Sequence, residues 1–146
     1  MDTTARDRPI TRFALAAALA AAGAIHLALV GEHLEESVLL GRGFVVVGLA
    51  QIALGAIVLL RPRIPVRSIV ALNVVLIALY ALHVTIGLPL PDAAEAADEM
   101  KGLLGPREEV ELSAIVTKLA ELVGIVLAAT ARRDQAAGTT QMRRAA

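Results

Sequence analysis

A few residues able to bind a cation, exchange a proton or coordinate a metal stand inside otherwise apolar sequence. They are His26, Gln51, Asn73, His83 and the Lys118/Glu121 pair, with Glu32, His33 and Glu36 in a short acidic segment following the first apolar run. Imidazole and carboxylate together suit Zn, Cu(II), Ni or Fe, and the same groups trade protons near neutral pH. His26, His33 and Glu36 on one helix, completed by His83, form the expected metal set, a divalent transition metal being the implied cofactor. Two histidines on different helices, His26 and His83, could instead ligate a haem iron, although the scarcity of aromatics to flank a macrocycle weighs against it. Each residue also has a plainer role: interhelical hydrogen bonding for the histidines, a structural bond from Glu121 to Gln51 or Lys118, and a solvated turn for Glu32, His33 and Glu36. Cysteine is absent, which removes thiolate metal sites, disulfides and thiol redox chemistry. No nucleophile with a base and oxyanion donors can be assembled, so the chain reads as a non-enzyme.

The elements that must position these residues are membrane helices. Of 146 residues, 57% are hydrophobic and only 2% aromatic, and mean hydropathy is +0.69. A helix spans a bilayer with about 20 mostly apolar residues. Four runs meet that requirement: 13–30, 43–60, 68–88 and 112–131. The second stops at Arg61-Pro62, where proline cannot continue a helix. The fourth carries Lys118 and Glu121, each costing roughly 2.5–3.5 kcal/mol at a helix centre, so it needs its neighbours or the attraction of the pair. The expected fold class is all-α, a four-helix transmembrane bundle running up-down-up-down, with 1–12 as a cytoplasmic tail, 89–111 as an outer acidic loop and 132–146 as a disordered tail. A cleaved secretory signal is the alternative for the first run, but its apolar stretch continues through Val30.

Charge sets the direction. Arg6, Arg8, Arg12, Arg61, Arg63, Arg67, Arg132, Arg133, Arg143 and Arg144 all fall in segments on one side. The other side has Arg42, Lys101 and Arg107 among many acids, including Glu32, Glu35, Glu36, Asp92, Glu95 and Glu111. The positive-inside rule therefore places both termini on the cytoplasmic side, and the richness in Ala and in Arg over Lys suggests a bacterial plasma membrane. The formal charge of +0 conceals this polarity. Arginines distributed as topology signals argue against nucleic-acid binding. The expected partners are the lipid bilayer and another membrane protein or a second copy of the chain. Within the acidic loop, Asp92-x-x-Glu95 has the form of a capping box, so a short surface helix and a solvated loop both stand open there.

Depth follows from a rise of about 1.5 Å per residue. His26 and His83 fall level with each other, roughly 8–9 Å inside the outer boundary. Gln51 and Glu121 fall level near the midplane, with Lys118 on the flank and able to snorkel outward. Asn73 falls in the inner half. Gly41, Gly48 and Gly55 recur along the second span, and Gly23 lies in the alanine run of the first, which predicts close backbone packing. Short connections predict that spans one and two, and spans two and three, are antiparallel neighbours.

The string His26-Leu-Ala-Leu-Val-Gly-Glu32-His33-Leu-Glu35, with Gly41, Phe44, Gln51, Asn73, Thr85-Ile-Gly87-Leu-Pro89 and Leu119-Ala-Glu121-Leu, resembles a family of small four-span membrane proteins common in actinobacteria. Where similar sequences carry an aromatic after the acidic turn and an arginine before Thr-x-Gly-x-Pro, this chain has Ser37 and Val84. The resemblance implies the topology and the choice of residues, and no activity. The function expected from the residues is an outward-facing His/carboxylate cation site, for a transition metal or a proton, in a small transport or metal-handling protein. The alternative is a non-catalytic accessory or assembly subunit of a membrane complex.

Overall fold

The computed structural model describes residues 7–86 and 112–145, with side chains over 9–86 and 112–133. The described residues form five helices: α1 (Asp7–Ala28), α2 (Val30–Glu36), α3 (Val38–Leu60), α4 (Val66–Ile86) and α5 (Leu112–Ala145). Four of them contain a segment long and apolar enough to cross a membrane: Pro9–Ala28, Val38–Leu60, Val66–Ile86 and Leu112–Arg133. The chain thus has the all-α, four-helix architecture of a multi-pass membrane protein. The outer loop 89–111 and its capping box lie outside the described residues.

The segment expected as a loop between the first two spans is helical. Leu29 keeps near-helical backbone angles, and the His33 amide donates to the Leu29 carbonyl, so α2 continues the rise of α1 with only a local interruption. The chain turns at Ser37, whose backbone is extended and whose Oγ accepts from the Leu40 amide at 3.4 Å, capping α3. At the other end of α3, Arg61 leaves the helix before Pro62. The Arg12 guanidinium there donates to the carbonyls of Val58, Arg61 and Pro62, the last at 3.1 Å, and so ties the start of α1 to the end of α3. The α5 backbone stays helical through 134–145, where the sequence suggests disorder. Apart from Gly138, that segment is free of helix breakers, and its Ala, Arg, Gln and Met residues propagate a helix already formed.

The glycines are packing sites, as expected. A Cβ on Gly23 would lie 2.6 Å from the Gly48 carbonyl oxygen, and one on Gly55 would lie 3.1 Å from the Ala16 carbonyl oxygen. Backbones of α1 and α3 therefore touch along this stripe, the means by which helices associate where lipid removes any hydrophobic advantage. Gly41 packs in the same way against Leu34 of α2. Helix α1 also packs on α5, and α5 on α4. The pairing of spans two and three differs from expectation. The α3 and α4 backbones do not pack closely on each other, because α3 is drawn to α1 by its glycines while α4 packs on α5.

The core is divided by polarity. Leu15, Leu19, Val58, Ile69, Ala128 and Ala131 pack together in the half nearest the arginine-bearing ends of the helices. The opposite half holds the buried polar groups His26, His33, Ser37, Thr117 and Glu121, and Gln51 and Asn73 lie between the two halves.

Candidate functional site

Glu121 is the centre of the polar half. Its side chain is fully buried, and both carboxylate oxygens accept from the Lys118 ammonium, at 3.1 and 2.9 Å. The i, i+3 spacing on α5 brings the two groups together on one helix face. Lys118 does not snorkel outward. Its stem turns toward the carboxylate, its side chain is 18% exposed, and its Nζ lies 5.3 Å from the centre of the Tyr80 ring. A buried carboxylate a few ångströms away outcompetes distant water for an ammonium in an apolar setting.

His26 approaches the same carboxylate from α1. Its Nδ1 lies 2.9 Å from the Ala22 carbonyl oxygen, which can only accept, so Nδ1 carries a hydrogen. Nε2 is thereby the position that gains or loses a proton, and it faces Glu121 Oε1 at 3.7 Å. Gln51 lies beside both His26 and Glu121. Its Nε2 donates to Asn73 Oδ1 at 3.2 Å, linking α3 to α4 by side chains where their backbones do not meet. Asn73 is thus joined to the Gln51 side chain, and its amide passes close to Gly124, where a Cβ would meet Asn73 Nδ2 at 3.1 Å. Gln51 Oε1 and Asn73 Nδ2 are buried without a hydrogen-bond partner among the described residues.

His33 is buried, in contrast to the solvated turn that its acidic neighbours suggest, whereas Glu32, Glu35 and Glu36 are exposed. Its Nδ1 lies 2.9 Å from the Leu29 carbonyl oxygen, repeating the geometry of His26 one heptad earlier. Its ring stacks on Phe44 at 3.7 Å between centroids, and Phe44 also contacts the His26 ring at 5.3 Å. The role of Phe44 was not legible from residue type, because a lone phenylalanine in an apolar span reads as lipid-facing.

A cavity of about 230 Å³ lies beside this cluster, and Glu121, Gln51 and Asn73 are not among its lining residues. His26, His33 and His83 all line it, as do Phe44, Tyr80 and Lys118. His26 of α1 and His83 of α4 thus line one space. The four-residue metal set is not assembled, since Glu36 is exposed and, among the described residues, no three His, Asp or Glu side chains come close enough to hold a metal ion. A macrocycle between His26 and His83 is also a poor fit: the cavity is below the roughly 300–1,000 Å³ of sites for drug-sized ligands, and His26 directs Nε2 at Glu121.

No protein family, curated protein or solved structure matches the chain.

Proposed function

We propose that this integral membrane protein binds a proton at the His26–Glu121–Lys118 cluster, beside a pocket that His26 and Lys118 line on the side of the membrane away from its arginines. The observation that carries the reading is the facing of His26 Nε2 and Glu121 Oε1 at 3.7 Å, with Nδ1 already committed to Ala22. A neutral imidazole in that tautomer and an ionised carboxylate present two acceptors to each other, a separation just beyond hydrogen-bond range. One added proton converts the contact into a charge-assisted hydrogen bond. Gln51 Oε1 is a further acceptor in the same cluster. Ionisable groups this deep in a membrane span are expensive, which favours a working role over a decorative one.

The site is one-sided. Below Glu121 the interior is closed by Leu15, Leu19, Val58, Ile69 and Ala128, each fully or almost fully buried, so no polar path continues. The reading is therefore a proton taken up from one face and held, as in the outward-open state of a small proton-coupled transport protein, with both termini on the cytoplasmic side. A transition metal is disfavoured by the missing third ligand. The accessory-subunit reading draws on α4, the least covered of the four spans, which leaves room for a second membrane protein against it. Copurification of a stoichiometric partner from native membranes would favour that alternative.

Infrared difference spectra of the protein in bilayers, taken between about pH 5 and 8 where imidazole titrates, test the proposal. Imidazole and carboxylate bands are expected to change together, and both changes are expected to be lost in Glu121→Gln. Identical spectra for wild type and Glu121→Gln would overturn it.

A further inference from the structure

We infer that the cavity admits, from the lipid, the planar ring head of a quinone-class molecule, a ring bearing carbonyl or hydroxyl oxygens on a long apolar tail. This inference does not depend on the proton site. The first argument is the opening. Helices α3 and α4 do not pack backbone to backbone, and they supply facing walls of the cavity. Leu39 and Leu79, on those two walls, are 56% and 47% exposed. The seam between them lies within segments apolar enough to cross a membrane, so what reaches it from the side is lipid-soluble.

The second argument is the lining. The chain has only six ring side chains, two Phe, one Tyr and three His, with no Trp. Five of them, His26, His33, Phe44, Tyr80 and His83, line this one cavity, and only Phe13 lies elsewhere. Phe44 and His33 already form a stacked platform with rings 25° from parallel. Ring faces favour offset stacking with another planar ring, a preference that a straight acyl chain cannot satisfy. Polarity agrees with a neutral head. Lys118 is neutralised by Glu121, so the cavity carries no uncompensated cation for a lipid phosphate, while an ammonium N–H remains for a ring oxygen. Size limits the occupant to one ring: at about 230 Å³ the cavity is below the roughly 300–1,000 Å³ of sites for whole drug-sized ligands, so the tail must remain in the seam.

The chain supplies its own probe, since Tyr80 is its single tyrosine and no tryptophan is present. Tyrosine emission of the full chain in lipid vesicles that contain no other protein therefore reports on this cavity alone. Decylubiquinone is the ligand tested, with oleate as an acyl-chain competitor. Gly43 lines the cavity, and a Cβ there meets nothing within 4 Å, so Gly43→Leu adds bulk at the cavity wall from an unobstructed Cβ. Gly31 has equal freedom but does not line the cavity, which makes Gly31→Leu the control.

Saturable quenching is expected, weakened about tenfold or more in Gly43→Leu, partly weakened in Gly43→Ala, unchanged in Gly31→Leu and not reversed by oleate. A tenfold change corresponds to about 1.4 kcal/mol of binding free energy. Unsaturable quenching, equal quenching in Gly43→Leu and Gly31→Leu, or displacement by oleate at equal concentration would each overturn the inference. Helical circular dichroism of the variants separates lost binding from lost folding, and Gly43→Ala stands in if Gly43→Leu does not fold.

Discussion

Removing Lys118 leaves Glu121 with no permanent countercharge in a fully buried position. The ammonium lies 2.9 and 3.1 Å from the two carboxylate oxygens, and the carboxylate has no solvent exposure. Breaking one side of a buried ion pair costs about 3–5 kcal/mol, because the remaining charge is stranded. Lys118→Met keeps the stem volume and removes only the charge, so its loss is expected near that range. Glu121→Leu strands the ammonium instead. Its stem is partly exposed and lines the cavity, so it can turn outward, and the loss is expected to be smaller. The double variant Lys118→Met/Glu121→Leu removes both charges and is expected within about 1 kcal/mol of wild type, since apolar replacement of a buried pair is often neutral. The stranded carboxylate can also escape its cost by taking a proton. The folded Lys118→Met variant then holds a proton that the unfolded chain releases, so its stability falls as pH rises and the deficit shrinks in acid. Reversible unfolding in mixed micelles, followed by circular dichroism, measures all three in a double-mutant cycle. Additive losses in the double variant, or equal losses for the two single variants, would refute the reasoning.

Gly23→Ala places a Cβ at 2.6 Å from the Gly48 carbonyl and is expected to cost about 1–3 kcal/mol by forcing α1 from α3. Gly31→Ala, which meets nothing within 4 Å, is expected to be neutral or to stabilise by up to about 1 kcal/mol; the same unfolding assay reads both. Gln51→Leu strands Asn73 Oδ1 and is expected to cost about 0.6–1.7 kcal/mol, the range of interhelical hydrogen bonds in membranes. The chain has no cysteine, so single cysteines report topology directly. An impermeant maleimide applied to intact cells is expected to label Glu36→Cys and to leave Arg63→Cys unmodified until the membrane is opened.

The spans were legible because length and polarity suffice to define a membrane helix, and the stop at Pro62 because a proline has no amide hydrogen, whereas the Ser37 cap that starts α3 five residues before the expected 43 was not read. Helix rise gave each polar residue an expected height, but it did not foresee that His26 and Glu121, expected at different heights, meet at 3.7 Å. Lateral arrangement was less legible. Short connections suggested that spans two and three touch, but glycine contacts hold α3 to α1 and leave α3 and α4 separated. Side-chain reach was the other gap. Asn73 joins Gln51, and Lys118 turns inward to Glu121, because unsatisfied polar groups in an apolar interior seek one another beyond the level of their own backbone. Burial of His33 was hidden by the acids around it, although its spacing of seven from His26 placed it on nearly the same face.

The central claim is tested most directly by nitrogen-15 solid-state NMR of the histidine rings in bilayers, assigned through His26→Gln. The predicted outcome is that His26 Nδ1 stays protonated throughout, that Nε2 gains its proton as the sample is acidified from neutral pH, and that Glu121→Gln displaces this titration. A His26 Nε2 that keeps one protonation state on acidification, or that titrates identically with and without the Glu121 carboxylate, would contradict the claim.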